Sequence, residues 1–317
     1  MEKRQQRRQN VKIVRKKSRM RKARIVFSFF LAIFFLLGGY AVYQYYSGKS
    51  LAAQGIIEPE YEFNGQKDEK GKVNVLLIGA DHRKKGEPSN SDTIMIAQYD
   101  PSREKAKIVS IMRDIYAPIP GYQDNKINAS FLLGGPDLLR QTIKQNFNID
   151  VEYYVVVDFK GFEKAIDALA PAGIEIDVEK AMSKYIGVSL QPGLQKLNGK
   201  ELLGYARFRQ DLESDFGRVR RQQQVIKAIS DEIISANGIA KAPKLLGTVQ
   251  PYIQTNIGAM DSLSLLKDFL FFDTKNIETL TLPIEGSYTN ERLQDRRIIL
   301  KTDFEMNTKA IQEFLEG

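Results

Sequence analysis

The segment Arg207–Gln224 concentrates the side chains that are best suited to binding an anion. It holds five arginines, three carboxylates and one glycine within eighteen residues, and arginine binds phosphate in a bidentate manner. If its second half is helical, Arg218, Arg221 and Gln222 share one helix face. Gly217 would then let an anionic ligand approach the free N–H groups at the helix start. The alternative is a solvated helix face held by ion pairs among its own residues.

Two further arginines, Arg207 and Arg209, lie just before that helix. Residues two apart share a face only where the chain is extended, and Phe208 would then point to the opposite, buried side. The pattern therefore predicts two guanidinium groups on one side of a short extended piece.

Charged side chains also follow or precede the predicted strands. Asp81 and Arg83 follow the first strand, Asp92 begins the second, and Arg113 and Asp114 follow the third. Ligands of open α/β sheets gather outside strand ends. Asp81 and Asp92 could share a Mg²⁺ ion, which takes one or two carboxylates together with substrate phosphates. The alternative is that both carboxylates cap turns and pair with the two nearby arginines.

The elements that must position these residues alternate along the chain. Apolar runs predict strands over residues 73–79, 93–99, 106–112, 153–157 and 173–177, and near 277–283 and 296–301. Helical spacing predicts helices over 137–147 and 159–169, and near 199–206, 216–236, 261–272 and 303–315. The interleaving predicts a mixed α/β domain whose central β-sheet is covered by helices on both faces.

The N-terminal region has the composition of a membrane anchor. The chain carries a net charge of +8, but twelve of its cations lie in residues 1–24 against a single carboxylate. Residues 25–46 carry no charge, and as a helix they would span about 33 Å, close to the roughly 30 Å of a hydrocarbon core. We therefore predict a cytoplasmic tail over 1–24, one transmembrane helix over 25–46, an extracellular spacer over 47–71 and an extracellular domain over 72–317.

Two alternatives remain for this region, a cleaved signal peptide and a tail that binds nucleic acid. We expect no nucleic-acid partner, because basic tails beside a membrane span commonly set its orientation.

The rarity of two residue types excludes several kinds of catalysis. The chain has no cysteine, and His82 is its single histidine, so thiolate chemistry, cysteine–zinc sites and multi-histidine metal sites are excluded. Any metal should be held by oxygen ligands. The sequence also contains no Walker, G-x-S-x-G or H-E-x-x-H motif.

Taken in order, several segments over about residues 72–230 resemble the LytR–CpsA–Psr family of wall-polymer ligases. They are the Gly79/Asp81/Arg83 loop, Ser91-Asp-Thr93, Ser110-Ile-Met-Arg-Asp114, Lys126-Ile-Asn128 with Gly134-Gly135, Gln191–Gly199, Tyr205-Ala-Arg-Phe-Arg209 and Asp215–Gln223. Each segment is a weak signal alone, and the ordered set is specific.

The resemblance implies a fold around an apolar pocket for a polyprenyl chain. It implies an enzyme at the cytoplasmic membrane that moves a teichoic-acid or capsule-type glycopolymer from a polyprenyl diphosphate carrier to a peptidoglycan hydroxyl. Mg²⁺ or Mn²⁺ would assist, held by Asp81 and Asp92, and Asp92 or Asp114 would accept the hydroxyl proton. The diphosphate would be held by Arg83, Arg113, Lys126, Arg207, Arg209, Arg218 and Gln222, among which Arg113, Arg207 and Arg209 would act in catalysis with Asp92.

Three positions depart from the family pattern: Met112 in place of a common proline, Ala129-Ser130 in place of His-Ala, and Leu169–Gly173 in place of a tighter turn. Two other functions stay open on the sequence. One is a hydrolase that uses water as the acceptor, and the other is a non-catalytic or regulatory protein that binds wall polymers.

Overall fold

The computed structural model describes residues 61–80, 89–234, 253–258 and 277–317, with a few isolated positions elsewhere. The predicted tail, nearly all of the predicted membrane span, the helix expected near 261–272 and the loop 81–88 lie outside these ranges. Within them, no helix has the length and apolarity needed to cross a membrane.

A six-stranded mixed sheet forms the centre of the domain. Its strands are β1 (Val73–Ala80), β2 (Ser91–Asp100), β3 (Lys105–Ile111), β6 (Tyr153–Asp158), β9 (Ile253–Thr255) and β10 (Glu278–Leu282). Their order in the sheet is β10-β3-β2-β1-β6-β9. The pairs β1–β6 and β3–β10 are parallel, and β1–β2, β2–β3 and β6–β9 are antiparallel.

Two smaller sheets flank the central one. Their strands are β4 (Ile115–Ala117), β5 (Asn125–Lys126), β7 (Ile174–Val178), β8 (Gly193–Leu197), β11 (Tyr288–Arg292) and β12 (Ile298–Thr302). The first sheet has the order β11-β12-β4-β5, and the second is the antiparallel hairpin β7–β8. The helices among the described residues are α1 (Ala129–Phe147), α2 (Phe159–Leu169), α3 (Gly199–Arg207), α4 (Ser214–Ile234) and α5 (Phe304–Glu316).

The main hydrophobic core lies on one face of the central sheet. Alternate residues of β1, among them Leu76 and Ile78, are buried there with Leu139 and Ile143 of α1 and Ile311 of α5. This alternation is what a strand imposes on its side chains. A second cluster joins α2, α3, α4 and the β7–β8 hairpin. The predicted mixed α/β fold with a central sheet is confirmed.

The packed domain begins earlier than the predicted boundary at residue 72. Tyr61 and Phe63 pack against the main core, and the Gln66 N–H donates to the carbonyl of Val151 at 2.8 Å. Residues 61–71, which we assigned to the spacer, therefore contact the domain itself.

The short strands β4, β5, β8, β9 and β11 were not predicted. They have two to five residues each, and β11 is mostly exposed. Such segments lack the run of apolar residues that makes a strand visible in a sequence.

Candidate functional site

A cavity of about 390 Å³ lies between the second face of the central sheet and the helices α2, α3 and α4. Its apolar wall consists of Leu77, Met95, Val155 and Val157 from the sheet and Phe162, Leu203, Val225 and Ile226 from the helices. Strands that are apolar on both faces normally have both faces covered. Here the second face of β1 and β6 borders the cavity instead. Contact of aliphatic surface with water costs about 25 cal/mol per Å², so a hydrocarbon chain that fills the cavity would be favoured over water.

Charged side chains from three distant parts of the chain also line this cavity. In the antiparallel ladder of β2 and β3, Met95 pairs with Ser110, and the same register continued places Asp92 opposite Arg113. The two side chains form an ion pair and a hydrogen bond. Arg218 Nη1 lies 4.0 Å from Asp92 Oδ1. Sheet register thus brings two of the predicted site residues together, and α4 adds a third.

Asp215 lies at the centre of the arginines. Its Oδ2 accepts a 2.8 Å hydrogen bond from Arg218 Nη2 and lies 3.9 Å from Arg113 Nε. Its Oδ1 lies 2.8 Å from Arg209 Nε, although neither of those two atoms has a partner with hydrogen-bond geometry. We define Asp92, Arg113, Arg209, Asp215 and Arg218 as the arginine cluster.

The arginine cluster carries three guanidinium groups and two carboxylates. The Nε–H groups of Arg113, Arg209 and Arg218 are buried and make no hydrogen bond of good geometry within the part of the chain that the structure describes, although Arg209 Nε is in ion-pair contact with Asp215. Burial lowers the pKa of the Arg218 guanidinium to about 10, while Asp215 acts in the opposite direction. Arg218 is therefore still a cation at neutral pH, in surroundings where a buried charge needs partners.

Arg207 and Gln222 also face the cavity. Arg207 is the last residue of α3, which begins with a capping box between Asn198 and Glu201, both of whose hydrogen bonds measure 3.0 Å. The Arg207 guanidinium stacks on the ring of Phe159, 4.3 Å from its centroid. Phe208 is buried between the two cavity-lining arginines, as predicted. The predicted extended piece is wrong at Arg207, because that residue still belongs to α3 and the chain becomes extended at Phe208.

Arg221 does not line the cavity with Arg207, Arg218 and Gln222. Its guanidinium turns away from the cavity to Glu179, Asp211 and the carbonyl of Phe208. Gly217 likewise offers no approach for a ligand, because a Cβ there would lie 2.8 Å from the Glu213 side chain and 3.0 Å from Arg221 Nη2.

Lys126 lies beside the arginine cluster. Its Nζ donates to Asp114 Oδ1 at 2.7 Å, and Asp114 Oδ2 lies 3.9 Å from Arg113 Nε. Neither Lys126 nor Asp114 is among the described residues that line the cavity. The structure thus connects Lys126 to the predicted site through one carboxylate and does not bring it to the cavity wall.

The predicted metal ligands are only partly described. Asp81 and Arg83 lie in the loop 81–88, outside the described residues. Asp92 lines the cavity and supplies a hard oxygen donor of the kind Mg²⁺ prefers. No group of three or more His, Cys, Asp or Glu side chains suited to a metal occurs in the described ranges. The described residues therefore fit a magnesium site with few protein carboxylates, in which the phosphates of a ligand would complete the coordination of the ion.

None of the residues that depart from the family pattern is among the described residues that line the cavity. The Met112 N–H donates to the Leu282 carbonyl at 2.9 Å, a bond that proline could not make. Ser130 is fully buried and donates to the carbonyl of Ile127. Gly173 has a φ of +84°, which suits the glycine that ends the Leu169–Gly173 turn.

Sequence reasoning missed Asp215 as the counter-ion of the arginines and Phe159 as the support of Arg207. The sequence did contain a signal for Asp215, because a carboxylate three residues before an arginine in a helix commonly forms an ion pair with it. It contained no signal for Phe159, since Phe159 and Arg207 lie on different helices.

Comparison with known proteins places this geometry in context. The chain is 46% identical over 278 residues to the "Regulatory protein MsrR" of Staphylococcus aureus, covering 87% of this chain and 85% of that protein. It is 32% identical over 311 residues to the "Polyisoprenyl-teichoic acid--peptidoglycan teichoic acid transferase TagV" of Bacillus subtilis, covering 94% of this chain and 79% of that protein. The TagU transferase of Oceanobacillus iheyensis is 35% identical over 236 residues, 72% of each chain.

Solved structures share the fold. The crystal structure of B. subtilis TagV superposes with a TM-score of 0.67 at 31% identity, covering 78% of this chain and 99% of that one. A structure of "TagT bound to LI-WTA" gives a TM-score of 0.62 at 25% identity, covering 83% of this chain and 95% of that one. Residues 40–313 match the LytR_cpsA_psr family, and the chain belongs to that family.

Proposed function

We propose that this protein is a transferase that moves an anionic glycopolymer of the teichoic-acid type from a polyprenyl diphosphate carrier to a hydroxyl of peptidoglycan. One observation carries the proposal: the guanidinium groups of Arg113, Arg209 and Arg218 meet at the wall of an aliphatic cavity, and the arginine cluster holds only two carboxylates to balance them. A polyprenyl diphosphate has the matching parts, an anionic head and a hydrocarbon tail. The transferase names of the TagU and TagV relatives support the same function.

The arginines would act mainly through charge. In the proposed step, the acceptor hydroxyl oxygen attacks the phosphorus that bears the glycan, and the bond from that phosphorus to the bridging oxygen breaks. Lipid phosphate leaves with that oxygen. Guanidinium groups fixed beside the diphosphate stabilise the charge that develops on the leaving phosphate, a contribution that is often the largest in such reactions.

The proton of the acceptor hydroxyl requires a base, and the geometry favours Asp92. Asp92 lines the cavity, whereas Asp114 is bonded to Lys126 outside it. A base must lie within hydrogen-bond reach of the proton that it takes. We therefore prefer Asp92 over Asp114 for this role.

Asp92 and Asp81 would hold the divalent cation in the resting site; in the step where Asp92 takes the proton, Asp81 and the phosphate oxygens would hold it, because a carboxylate bound to Mg²⁺ is a weak base. When bound, Mg²⁺ or Mn²⁺ would supply further positive charge to the diphosphate. A single-pass anchor at the N-terminus would place the domain outside the cytoplasmic membrane, where both the lipid carrier and peptidoglycan are accessible.

The proposal is tested by incubating the full-length protein in nanodiscs with a lipid-diphosphate glycan, peptidoglycan oligomers and Mg²⁺. Mass spectrometry should find a phosphodiester-linked glycan on the peptidoglycan. Free glycan phosphate in its place would indicate a hydrolase. Unchanged substrate would contradict the enzymatic function.

A second candidate is a regulatory protein that binds the same ligand, and the MsrR relative at 46% identity favours it by name. The two functions differ in what happens to the bound carrier. A protein that only binds should leave the lipid diphosphate intact at full occupancy, whereas a transferase should release the lipid phosphate.

A further inference from the structure

Arg221 is fully buried, yet it is not part of the cavity wall. Its Nη1 donates to Glu179 Oε1 at 2.7 Å and to Asp211 Oδ2 at 2.9 Å. Its Nη2 donates to the Phe208 carbonyl at 2.7 Å. A buried charge with this many partners is held in one geometry, because each lost bond leaves an unpaired group in the interior.

The partners of Arg221 lie on both sides of a cavity-lining arginine. Phe208 and Asp211 belong to the linker between α3 and α4, and Arg209 lies between them. Glu179 follows the end of β7 directly, so the hairpin provides a fixed reference point. Asp211 is also 3.3 Å from Lys180 Nζ, the residue after Glu179. The linker is thus fastened before and after Arg209 to Arg221 of α4, and through Asp211 to Lys180 beside the end of β7.

The local sequence leaves room for this arrangement. Gly217, one helical turn before Arg221, has no side chain, and a Cβ there would lie 3.0 Å from Arg221 Nη2. The Arg221 guanidinium also lies 5.3 Å from the centre of the Phe208 ring. Gly217 therefore leaves free the space that the Arg221 side chain needs to reach the linker.

We infer that Arg221 is a positioning residue: it holds the α3–α4 linker so that Arg209, with Arg207 at the end of α3, is directed at the diphosphate of the ligand. This inference rests on the proposed function. Arginines that bind a diphosphate must be placed to within a fraction of an ångström, and residues that touch no ligand commonly provide that precision.

Arg220 offers a matched control. It precedes Arg221 in the same helix and also pairs with Glu179, at 2.7 Å, and with Glu213 at 2.8 Å. Its side chain is 39% exposed, and it makes no bond to Phe208 or Asp211 among the contacts of the described residues. A variant at 220 therefore perturbs the same carboxylate, and Glu213 at the end of the linker, while the bonds to Phe208 and Asp211 on either side of Arg209 stay in place.

The test compares the affinity of the full-length protein in nanodiscs for farnesyl diphosphate. Arg221→Lys keeps a cation for Glu179 and Asp211, so that no buried carboxylate is left without charge compensation, but a lysine cannot also fork to the Phe208 carbonyl. We expect Arg221→Lys to weaken binding at least about tenfold, the scale of coupling between neighbouring groups. Arg220→Lys should stay within about twofold.

A double-mutant cycle separates positioning from general destabilisation. In an Arg209→Ala background, Arg221→Lys should lose most of its effect, because the side chain that it positions is gone. Hydrogen exchange of the 208–211 amides should rise in Arg221→Lys and stay unchanged in Arg220→Lys.

An equal loss of affinity with and without Arg209 would overturn the inference, and so would wild-type affinity in Arg221→Lys. A wild-type protein that binds no farnesyl diphosphate would contradict the proposed function, and the inference with it. That result is distinct from failure of the inference alone, in which wild type and Arg221→Lys bind equally well.

Discussion

Asp215 and Arg218 lie one turn apart in α4, joined by a 2.8 Å hydrogen bond, and both are buried, with exposures of 8% and 5%. The same carboxylate lies 2.8 Å from Arg209 and 3.9 Å from Arg113. With Asp92 it balances two of the three guanidinium charges. The arginine cluster therefore carries excess positive charge in a place where burial makes that charge expensive, which is the condition that an anionic ligand relieves.

The first prediction follows from this balance. Asp215→Asn should lower the free energy of unfolding by about 3–5 kcal/mol, the usual cost of removing one partner from a buried ion pair. Farnesyl diphosphate should raise the melting temperature of this variant more than that of wild type, because it supplies the missing negative charge. Thermal unfolding with and without the lipid measures both effects.

Asp295→Asn is the control for this experiment, since its partner Arg297 is about half exposed. It should change neither quantity by a measurable amount. An equal lipid-induced shift in Asp215→Asn and wild type would show that Asp215 does not balance the ligand site.

The second prediction concerns Arg113. Arg113→Ala removes a largely buried partner of Asp92 and should therefore lose some stability, but in the folded variant the turnover number should fall by about 100- to 1000-fold, as loss of one charge-stabilising donor does. Arg292→Ala, a change at an exposed residue of β11, should leave turnover unchanged. Rates of product formation measure both variants, and wild-type rates in Arg113→Ala would remove Arg113 from the mechanism.

The third prediction separates the lipid tail from the diphosphate. Val157 lines the cavity and lies opposite Gly79 in the sheet, so Val157→Phe should fill part of the apolar space. We expect binding of farnesyl diphosphate to weaken by about tenfold, because overpacking costs about 1–3 kcal/mol, while binding of inorganic pyrophosphate stays unchanged. Calorimetric titration with each ligand measures the difference, and parallel losses for both ligands would contradict a tail in this cavity.

The fourth prediction is a pH dependence of stability. Burial alone would raise the pKa of Glu179, but hydrogen bonds from Arg220 and Arg221 hold that pKa below its ordinary 4.5. Burial likewise opposes the hydrogen bonds from Arg221 and Lys180 that lower the pKa of Asp211 from its ordinary 3.8. A carboxylate with a lowered pKa in the folded state binds fewer protons than in the unfolded state, so stability falls as pH drops below about 4.5.

Urea unfolding at pH 7 and at pH 4 measures this dependence. Glu179→Gln should show a smaller loss between the two pH values than wild type, because one of the titrating groups is gone. Glu291→Gln, at an exposed position of β11, should behave as wild type. An unchanged pH dependence in Glu179→Gln would show that the ion pair with Arg221 does not carry it.

Local pattern predicted the central strands and the longer helices because each carries a strong signal. The apolar run at 73–79 became β1, and the helical spacing at 159–169 became α2. The β8 strand gave no such signal, since only Leu197 of its five residues is buried. Its pairing with β7 depends on non-local contacts that composition does not reveal.

The residues of the site likewise divide into those whose position the sequence predicted and those whose position it did not. Arg218 and Gln222 face the cavity as their helical spacing predicted. Arg221 lies on the same side of α4 as Arg218 and Gln222, but its guanidinium donates to Glu179, 42 residues earlier in the chain. Spacing along a helix gives the direction of a side chain to about a quarter turn, and it cannot identify the carboxylate from another element that captures it.

The central claim is that separate arginines bind one diphosphate whose tail lies in the apolar cavity. A crystal structure of the protein with farnesyl diphosphate tests it most directly. We predict phosphate oxygens within hydrogen-bond distance of Arg113, Arg209 and Arg218, and the prenyl chain against Val155 and Val157. A diphosphate bound away from these guanidinium groups, or a prenyl chain outside the cavity, would contradict the account.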